Sequence, residues 1–312
     1  MRVVFMGTPA FAAPALAALP AAGHETALVV TQPDRPAGRG RHLTPPPVKA
    51  KAIELGLPLF QPARVREPEV LRRLEQQAPD VIVVVGYGQL IPQSIIDLPR
   101  FGCVNVHASL LPKYRGAAPI QWAIANGESR TGITTMQIEK RLDAGDILLQ
   151  HETGIGPEET ASELAARLAP MGAELLVETL QGLQSGTVVP KKQDEDQATY
   201  APILKREDGL ISWTLPAAEI ANRIRAFDPW PGGYTAFREK RLQLRKVRVG
   251  EPFRAKPGTI SLAGGRLRVC CGEGSALLVE EVQLEGKNRV GAEEFARGYH
   301  LKENETLGES EE

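Results

Sequence analysis

Cysteine is scarce in this chain: Cys103, Cys270 and Cys271 are the only three in 312 residues. An odd number, two of them adjacent, builds neither a disulfide framework nor a zinc ligand set, and so points to a reducing compartment. Aromatic residues make up only 5% of the chain. No apolar run reaches the ~18 residues needed to cross a bilayer. Net charge is nearly nil at −1, which excludes a uniformly basic nucleic-acid coat but not local patches. Residues 1–7 enter a strand-like run without the apolar stretch and small-residue cleavage site of a secretory leader, so export is not expected. The expectation is a cytoplasmic protein with no membrane segment, no bound metal and no obligatory protein partner. His24, His42, His151 and His300 show no metal-ligand spacing.

What is present fits an ordinary globular protein. Hydrophobic residues form 42% of the sequence, enough for a core and too many for a disordered chain. The length exceeds the ~100–200 residues of a typical domain, so two are expected. Strand-like apolar runs at 3–6, 27–30, 81–85, 103–107 and 133–138 alternate with helical patterns at 47–55, 67–77 and 158–183. The Ala-rich stretch 11–22, broken by Pro14 and Pro20, predicts a short buried helix. Such alternation predicts a mostly parallel α/β sheet, with ligands at the carboxyl ends of its strands. Residues 188–200 are polar and aperiodic and read as a linker. A helix at 217–225, a dense turn signal at 228–233 and short strands at 242–249, 259–262, 267–271 and 276–282 then predict a small β-barrel or sandwich. The expected division is 1–189, a linker at 190–204, and 205–312, with an acidic end at 303–312.

Residues 104–112 are the most informative stretch. Asn105 and His107 lie two apart in a predicted strand and so face the same side. At a carboxyl edge, an imidazole can exchange a proton and a carboxamide can donate to a developing oxyanion. A strand-end histidine satisfied by backbone is the competing structural reading. Ser109 lacks the Gly-x-Ser-x-Gly elbow of a hydrolase nucleophile. Arg141-Leu142-Asp143-Ala144-Gly145-Asp146 closes the run 133–138, and its glycine allows a sharp turn that could return Asp143 toward the strand ends. Asp146 reads as a solvated or capping residue. Gly86-Tyr87-Gly88 lacks the third glycine of a dinucleotide fingerprint, and Gly7-Thr8-Pro9 lacks a Walker lysine, so no phosphate-loop cofactor is expected.

Two stretches are locally basic. Residues 31–51 carry Arg35, Arg39, Arg41, Lys49 and Lys51 against Asp34. Residues 223–268 carry twelve Lys and Arg against Asp228, Glu239 and Glu251, a balance of +9 that favours contact with a polyanion over a merely solvated face.

At 104–112, with Asn-x-His followed by a downstream Leu-Asp-x-Gly, the sequence resembles the folate-dependent formyltransferases. Phe5-Met6-Gly7-Thr8-Pro9, the segment from Gln32 to Gly40, Arg115-Gly116-Ala117-Ala118-Pro119-Ile120 and the segment from Arg225 to Pro231 extend the resemblance, in order, to the methionyl-tRNA formyltransferase branch. The resemblance implies a Rossmann-like N-terminal domain and a smaller OB-like C-terminal barrel that binds tRNA. It implies Asn105, His107 and Asp143 as the catalytic trio, and Ser109, Leu110, Leu111 and Pro112 as the tetrahydrofolate-binding segment. Arg39, with Arg35 and Arg41, would lie in a loop reaching the tRNA acceptor end. The implied donor is 10-formyltetrahydrofolate, the implied acceptor the α-amino group of methionine on initiator tRNA, and no metal is involved. A glycinamide ribonucleotide formyltransferase would need only the first domain. A sugar-nucleotide formyltransferase also has a second domain, but the loop from Pro33 to Gly40 and the basic barrel favour a long polyanion. A non-catalytic RNA-binding protein would not need the intact trio.

Overall fold

The structure, a computed structural model, describes residues 1–37 and 42–308. Arg39 and Arg41 therefore lie outside the described residues. In chain order the first elements are β1 (Arg2–Gly7), α1 (Ala13–Ala21), β2 (Glu25–Val30), β3 (Arg35–Ala37), β4 (His42–Thr44), α2 (Pro47–Glu54), β5 (Leu59–Phe60) and α3 (Pro68–Gln76). They are followed by β6 (Val81–Val85), α4 (Gln93–Ile96), β7 (Cys103–His107), β8 (Arg115–Gly116), α5 (Pro119–Ala125), β9 (Arg130–Gln137), β10 (Ile147–Gly154), α6 (Ala161–Ser185) and β11 (Tyr200–Ala201).

Seven of these strands form one sheet in the order β10-β9-β7-β6-β1-β2-β5. The five from β7 to β5 run parallel, and β9 and β10 add an antiparallel edge. The parallel strands are apolar because both faces are covered: Val81 to Val85 are all buried. Val106 packs against Gly172 of α6, and Thr135, its register partner, shares a 2.7 Å hydrogen bond with Thr179 of α6. Alternation along β7 then sends Asn105 and His107 to the opposite face. The mostly parallel sheet predicted from the alternating pattern is present. The edge strand β10 was missed, because Gln150, His151 and Glu152 break its apolar signal.

The chain divides into two compact units. The first comprises Met1–Pro119, Arg130–Gly154 and Ala165–Ala201; the second comprises Ile120–Ser129, Ile155–Leu164 and Pro202–Glu312. The polar stretch expected to be a linker belongs largely to the first unit. Its backbone bonds across to Ile147 at Lys191, and β11 pairs parallel with β8. Aperiodic polarity marks absence of a regular repeat, and here the polar groups are spent on side-chain and backbone bonding.

The second unit adds α7 (Ala217–Ala226), β12 (Tyr234–Phe237), β13 (Lys240–Gly250), β14 (Ile260–Ser261), β15 (Leu267–Cys270), β16 (Ala276–Leu284), β17 (Arg289–Gly291) and α8 (Ala292–Gly298). Strands β12-β13-β16-β15-β14 pair antiparallel, with β17 also on β16. The described pairing is an antiparallel half-barrel with β12 and β14 at its edges, the coarser form of the small β-barrel or sandwich expected from the sequence. Ile220 and Ile224 of α7 and Phe295 of α8 close its core with Trp213, Leu242, Leu244 and Val282. Among the described residues no helix is long and apolar enough to cross a membrane. All three cysteines are buried and unbridged.

The basic barrel stretch is less cationic in space than in sequence. Arg238 pairs with Glu305, Lys246 with Glu280, and Arg248 with Glu158 and Glu280, all acids outside the counted window. Arg245 pairs with Asp228. In the other basic stretch Lys49 is held by Asp34 at 2.7 Å and Lys51 by Glu54 at 2.7 Å. The Gln61 amide and the Lys49 ammonium together hold the Asp34 carboxyl below its ordinary range. Arg35 is exposed and donates to the Gln32 side-chain oxygen at 3.2 Å.

Candidate active site

Strand β7 delivers Asn105 and His107 to one face at its carboxyl edge, and the turn after β9 brings Asp143 to His107. His107 is buried, 6% exposed, and its Nε2 lies 2.9 Å from the carbonyl of Tyr114. A carbonyl only accepts, so Nε2 carries a proton there, and Nδ1 is the nitrogen left for chemistry. Nδ1 stands 3.8 Å from Oδ2 of Asp143. That oxygen also accepts the backbone N–H of Gly116 at 2.8 Å. Asn105 is half-buried, and its carboxamide has no protein hydrogen bond among the described residues, so both its N–H groups are available to a ligand.

Two of the backbone positions that build this arrangement are strained. Tyr114, which presents the carbonyl to His107, has φ +62°, and Asp143 has φ +49°. Side chains with a Cβ are unfavourable there, at about 1–3 kcal/mol each, so surrounding contacts must impose the conformation. Two glycines let the loops close. A Cβ at Gly145 would lie 1.9 Å from the carbonyl of Gln137, and one at Gly116 would lie 2.5 Å from that of Ala201. The sequence identified the Gly145 turn; the role of Gly116 emerges only from its pairing with β11.

The segment 109–112 is held from β9. Thr134, opposite His107 in register, donates its hydroxyl to the Ser109 carbonyl at 2.7 Å and accepts the Leu111 N–H at 3.1 Å. Gln150 of β10 donates to the same hydroxyl and to the Leu111 carbonyl, both at 2.9 Å. Ser109 is fully buried, and its hydroxyl donates to the Lys113 carbonyl at 2.6 Å. It therefore shapes the turn and is not a free nucleophile. Leu111 packs with Met136 and Ile147 in a small apolar cluster, while Leu110 and Pro112 are half-buried. Sequence reading missed Thr134, although a threonine inside an apolar strand run is the kind of signal that marks a polar anchor.

Arg115 is the largest of the fully buried side chains, 2% exposed. Its guanidinium donates to Glu195 at 3.0 and 3.1 Å and to the side-chain oxygen of Gln193 at 2.8 and 3.0 Å. This bonding raises the Arg115 pKa and holds the Glu195 carboxyl below its ordinary range. Gln193 in turn donates to the carbonyls of Asp143 at 2.9 Å and Gly145 at 2.8 Å. Gln193, Glu195 and Thr199 had no sequence signal beyond polarity. At the neighbouring strand end, the carbonyl of Tyr87 accepts from Thr8 and Gln32, so the Gly86-Tyr87-Gly88 turn is tied into the sheet edge. No group of three or more potential metal ligands occurs among the described residues.

A strand-end carboxamide with open donors, an imidazole with one free nitrogen and a nearby carboxylate suit group transfer through an oxyanion. Residues 1–180 match the family model described as formyl transferase, and residues 203–300 match the formyl transferase C-terminal domain. The chain belongs to the formyl transferase family. It is 56% identical over 310 residues to a methionyl-tRNA formyltransferase from Solibacter usitatus, covering 99% of each chain. It is 55% identical to one from Acidobacterium capsulatum, covering 99% of this chain and all of that one. Its fold resembles an N-formyltransferase from Helicobacter canadensis solved with folinic acid and dTDP-3-aminofucose. That likeness has a TM-score of 0.66 at 17% identity, over 89% of this chain and 98% of the other.

Proposed function

We propose that this chain transfers the formyl group of 10-formyltetrahydrofolate to the α-amino group of methionine on initiator tRNA, in the cytoplasm, in support of translation initiation. The observation that carries the chemistry is that Asn105 and His107 share one face of β7, with His107 Nδ1 3.8 Å from Asp143 and the Asn105 carboxamide unpartnered among the described residues.

The bound donor supplies an activated formyl carbon. The methionine amine has a pKa near ~8, so a useful fraction is a free nucleophile at neutral pH. Its nitrogen forms the new C–N bond as the bond from the formyl carbon to the folate nitrogen breaks. Asn105 donates an N–H to the oxygen that gains charge in between, worth typically ~10²–10³ in rate for one such donor. Protonated His107 donates to the same oxygen from Nδ1, keeping Nε2–H on Tyr114. Asp143 holds that imidazolium and passes the amine's proton onward through a water, so that the folate nitrogen leaves protonated. The turn of Ser109, Leu110, Leu111 and Pro112 lines the folate side. Its apolar half-buried leucine and proline suit a flat heterocycle, while the Ser109 hydroxyl fixes the turn.

Arg39, with Arg35 and Arg41, contacts the tRNA acceptor end, and the residues from 205 onward bind tRNA as an OB-like barrel. The basic excess over 223–268, though reduced in space by the acids paired to Arg238, Lys246 and Arg248, and the exposed Arg35 support this reading. The test is product analysis. Incubation of 10-formyltetrahydrofolate, charged initiator tRNA and the protein should give N-formylmethionine after base hydrolysis of the tRNA ester. Recovery of unmodified methionine alone would overturn the reading.

A further inference from the structure

We propose that Gln193 and Thr199 are positioning residues for formyl transfer, clamping from one segment the two strained backbone positions on which Asp143 and His107 depend. The proposal rests on the reading of His107 and Asp143 as reacting groups.

The segment is fixed at both ends. Lys191 exchanges two backbone hydrogen bonds with Ile147 at 2.8 Å, and the carbonyls of Thr199 and Ala201 accept from Arg115 at 2.8 Å and Ala117 at 2.9 Å. Between these anchors, two side chains reach the strained residues. The Thr199 hydroxyl accepts the N–H of Tyr114 at 2.9 Å, and the Tyr114 carbonyl is the partner of His107 Nε2. Gln193 donates through its amide nitrogen to the carbonyls of Asp143 and Gly145. Its side-chain oxygen accepts twice from Arg115.

The orientation of that amide is unambiguous. A guanidinium only donates and carbonyls only accept, so the oxygen must face Arg115 and the nitrogen must face residues 143 and 145. Each Gln193 N–H has its own acceptor, and the oxygen takes two donors. A left-handed φ at a non-glycine residue persists only when contacts impose it, and these contacts do so at φ +62° and φ +49°. Loss of either clamp should let Tyr114 or Asp143 relax and move its reacting partner, and small displacements of catalytic groups are costly in rate.

Three substitutions test the proposal. Gln193→Glu keeps the shape and the acceptor for Arg115 but cannot donate to the two carbonyls. Thr199→Val removes the acceptor for Tyr114, and Thr199→Ser restores it. Gln193→Glu and Thr199→Val should each lower kcat at least about tenfold, with KM for the formyl donor and for Met-tRNA within about twofold of wild type. Thr199→Ser should return kcat to within about twofold of wild type. If Gln193→Glu does not fold, the two Thr199 variants decide alone.

A second readout needs no turnover. The ¹⁵N spectrum of the His107 imidazole should show the Nε2–H tautomer in wild type and in Thr199→Ser, and a mixture of tautomers in Thr199→Val. Unchanged kcat with an unchanged tautomer in Thr199→Val, or an equal loss in Thr199→Ser, would overturn the proposal. Absence of formyl transfer by the wild-type protein would instead overturn the functional reading, and the tautomer pattern would still decide whether Thr199 sets the state of His107.

Discussion

Nδ1 of His107 and Oδ2 of Asp143 face each other across 3.8 Å, a separation too long for a direct hydrogen bond and short enough for a charge interaction whenever the imidazole is protonated. Each group is held by a further partner, His107 through Nε2 by the Tyr114 carbonyl and Asp143 through the same Oδ2 by the Gly116 N–H. The pair is therefore fixed without being joined. That leaves room for a water or a bound amine to pass a proton between them.

Asp143→Asn separates charge from shape. The asparagine oxygen still accepts the Gly116 N–H, so the loop should keep its form while the negative charge is lost. Steady-state kinetics should show kcat lowered about 10²-fold or more, with binding of both substrates near normal. Retention of more than about a tenth of wild-type kcat would show that the carboxylate charge is not needed.

Ser109→Ala distinguishes a turn-holding hydroxyl from a reacting one. The buried hydroxyl makes one hydrogen bond, to the Lys113 carbonyl. Urea unfolding should show a loss of about 1 kcal/mol, with kcat within about threefold of wild type. A loss of kcat above about 10²-fold without a stability change would make Ser109 a reacting group.

Glu195 gives the fold an acid-side dependence. Bonding to Arg115 depresses its folded-state pKa below the ordinary 4.5, so its contribution is present above that value and is lost as pH falls through the folded value. Glu195→Gln should therefore be less stable than wild type at neutral pH, and the difference should shrink as pH is lowered from about 5 toward 3. Urea midpoints across that range check it. A difference that stays constant with pH would show that the Arg115–Glu195 charge pair contributes nothing through ionisation.

Affinity for tRNA should fall with rising salt, but less steeply than the linear charge count implies. At least four of the twelve cations over 223–268 are paired to acids, so no more than eight are left for phosphate. At about −0.9 per engaged phosphate, the slope of log affinity against log salt from this stretch should not exceed about −7 in magnitude. A flat dependence would mean the basic residues are only solvated.

The parallel sheet and the shared face of Asn105 and His107 were legible in the sequence for a common reason. Both depend on short-range pattern: continuous apolar runs such as 81–85, and the two-residue spacing that puts Asn105 and His107 on one face. The turn at Gly145 was legible from glycine alone. What was not legible depends on distant pairing. Arg115 looks like a surface cation until Glu195 and Gln193, about 80 residues later, neutralise and bury it. The stretch 188–200 looks like a linker because nothing in its polarity reveals that its partners are the carbonyls of Asp143 and Gly145 and the N–H of Tyr114. The open edges at β12 and β14 were not legible, because short strands with regular turns indicate antiparallel pairing but not whether the first and last strands meet.

The most direct measurement compares acceptors in parallel, with 10-formyltetrahydrofolate as the common donor: charged initiator tRNA, a nucleotide-linked amino sugar and glycinamide ribonucleotide. The expected result is rapid, Asn105- and His107-dependent formylation of the methionyl-tRNA, with the two small acceptors left essentially unmodified. Comparable or faster formylation of either small acceptor, or formylation of Met-tRNA that survives loss of both Asn105 and His107, would contradict the assignment of acceptor or of site.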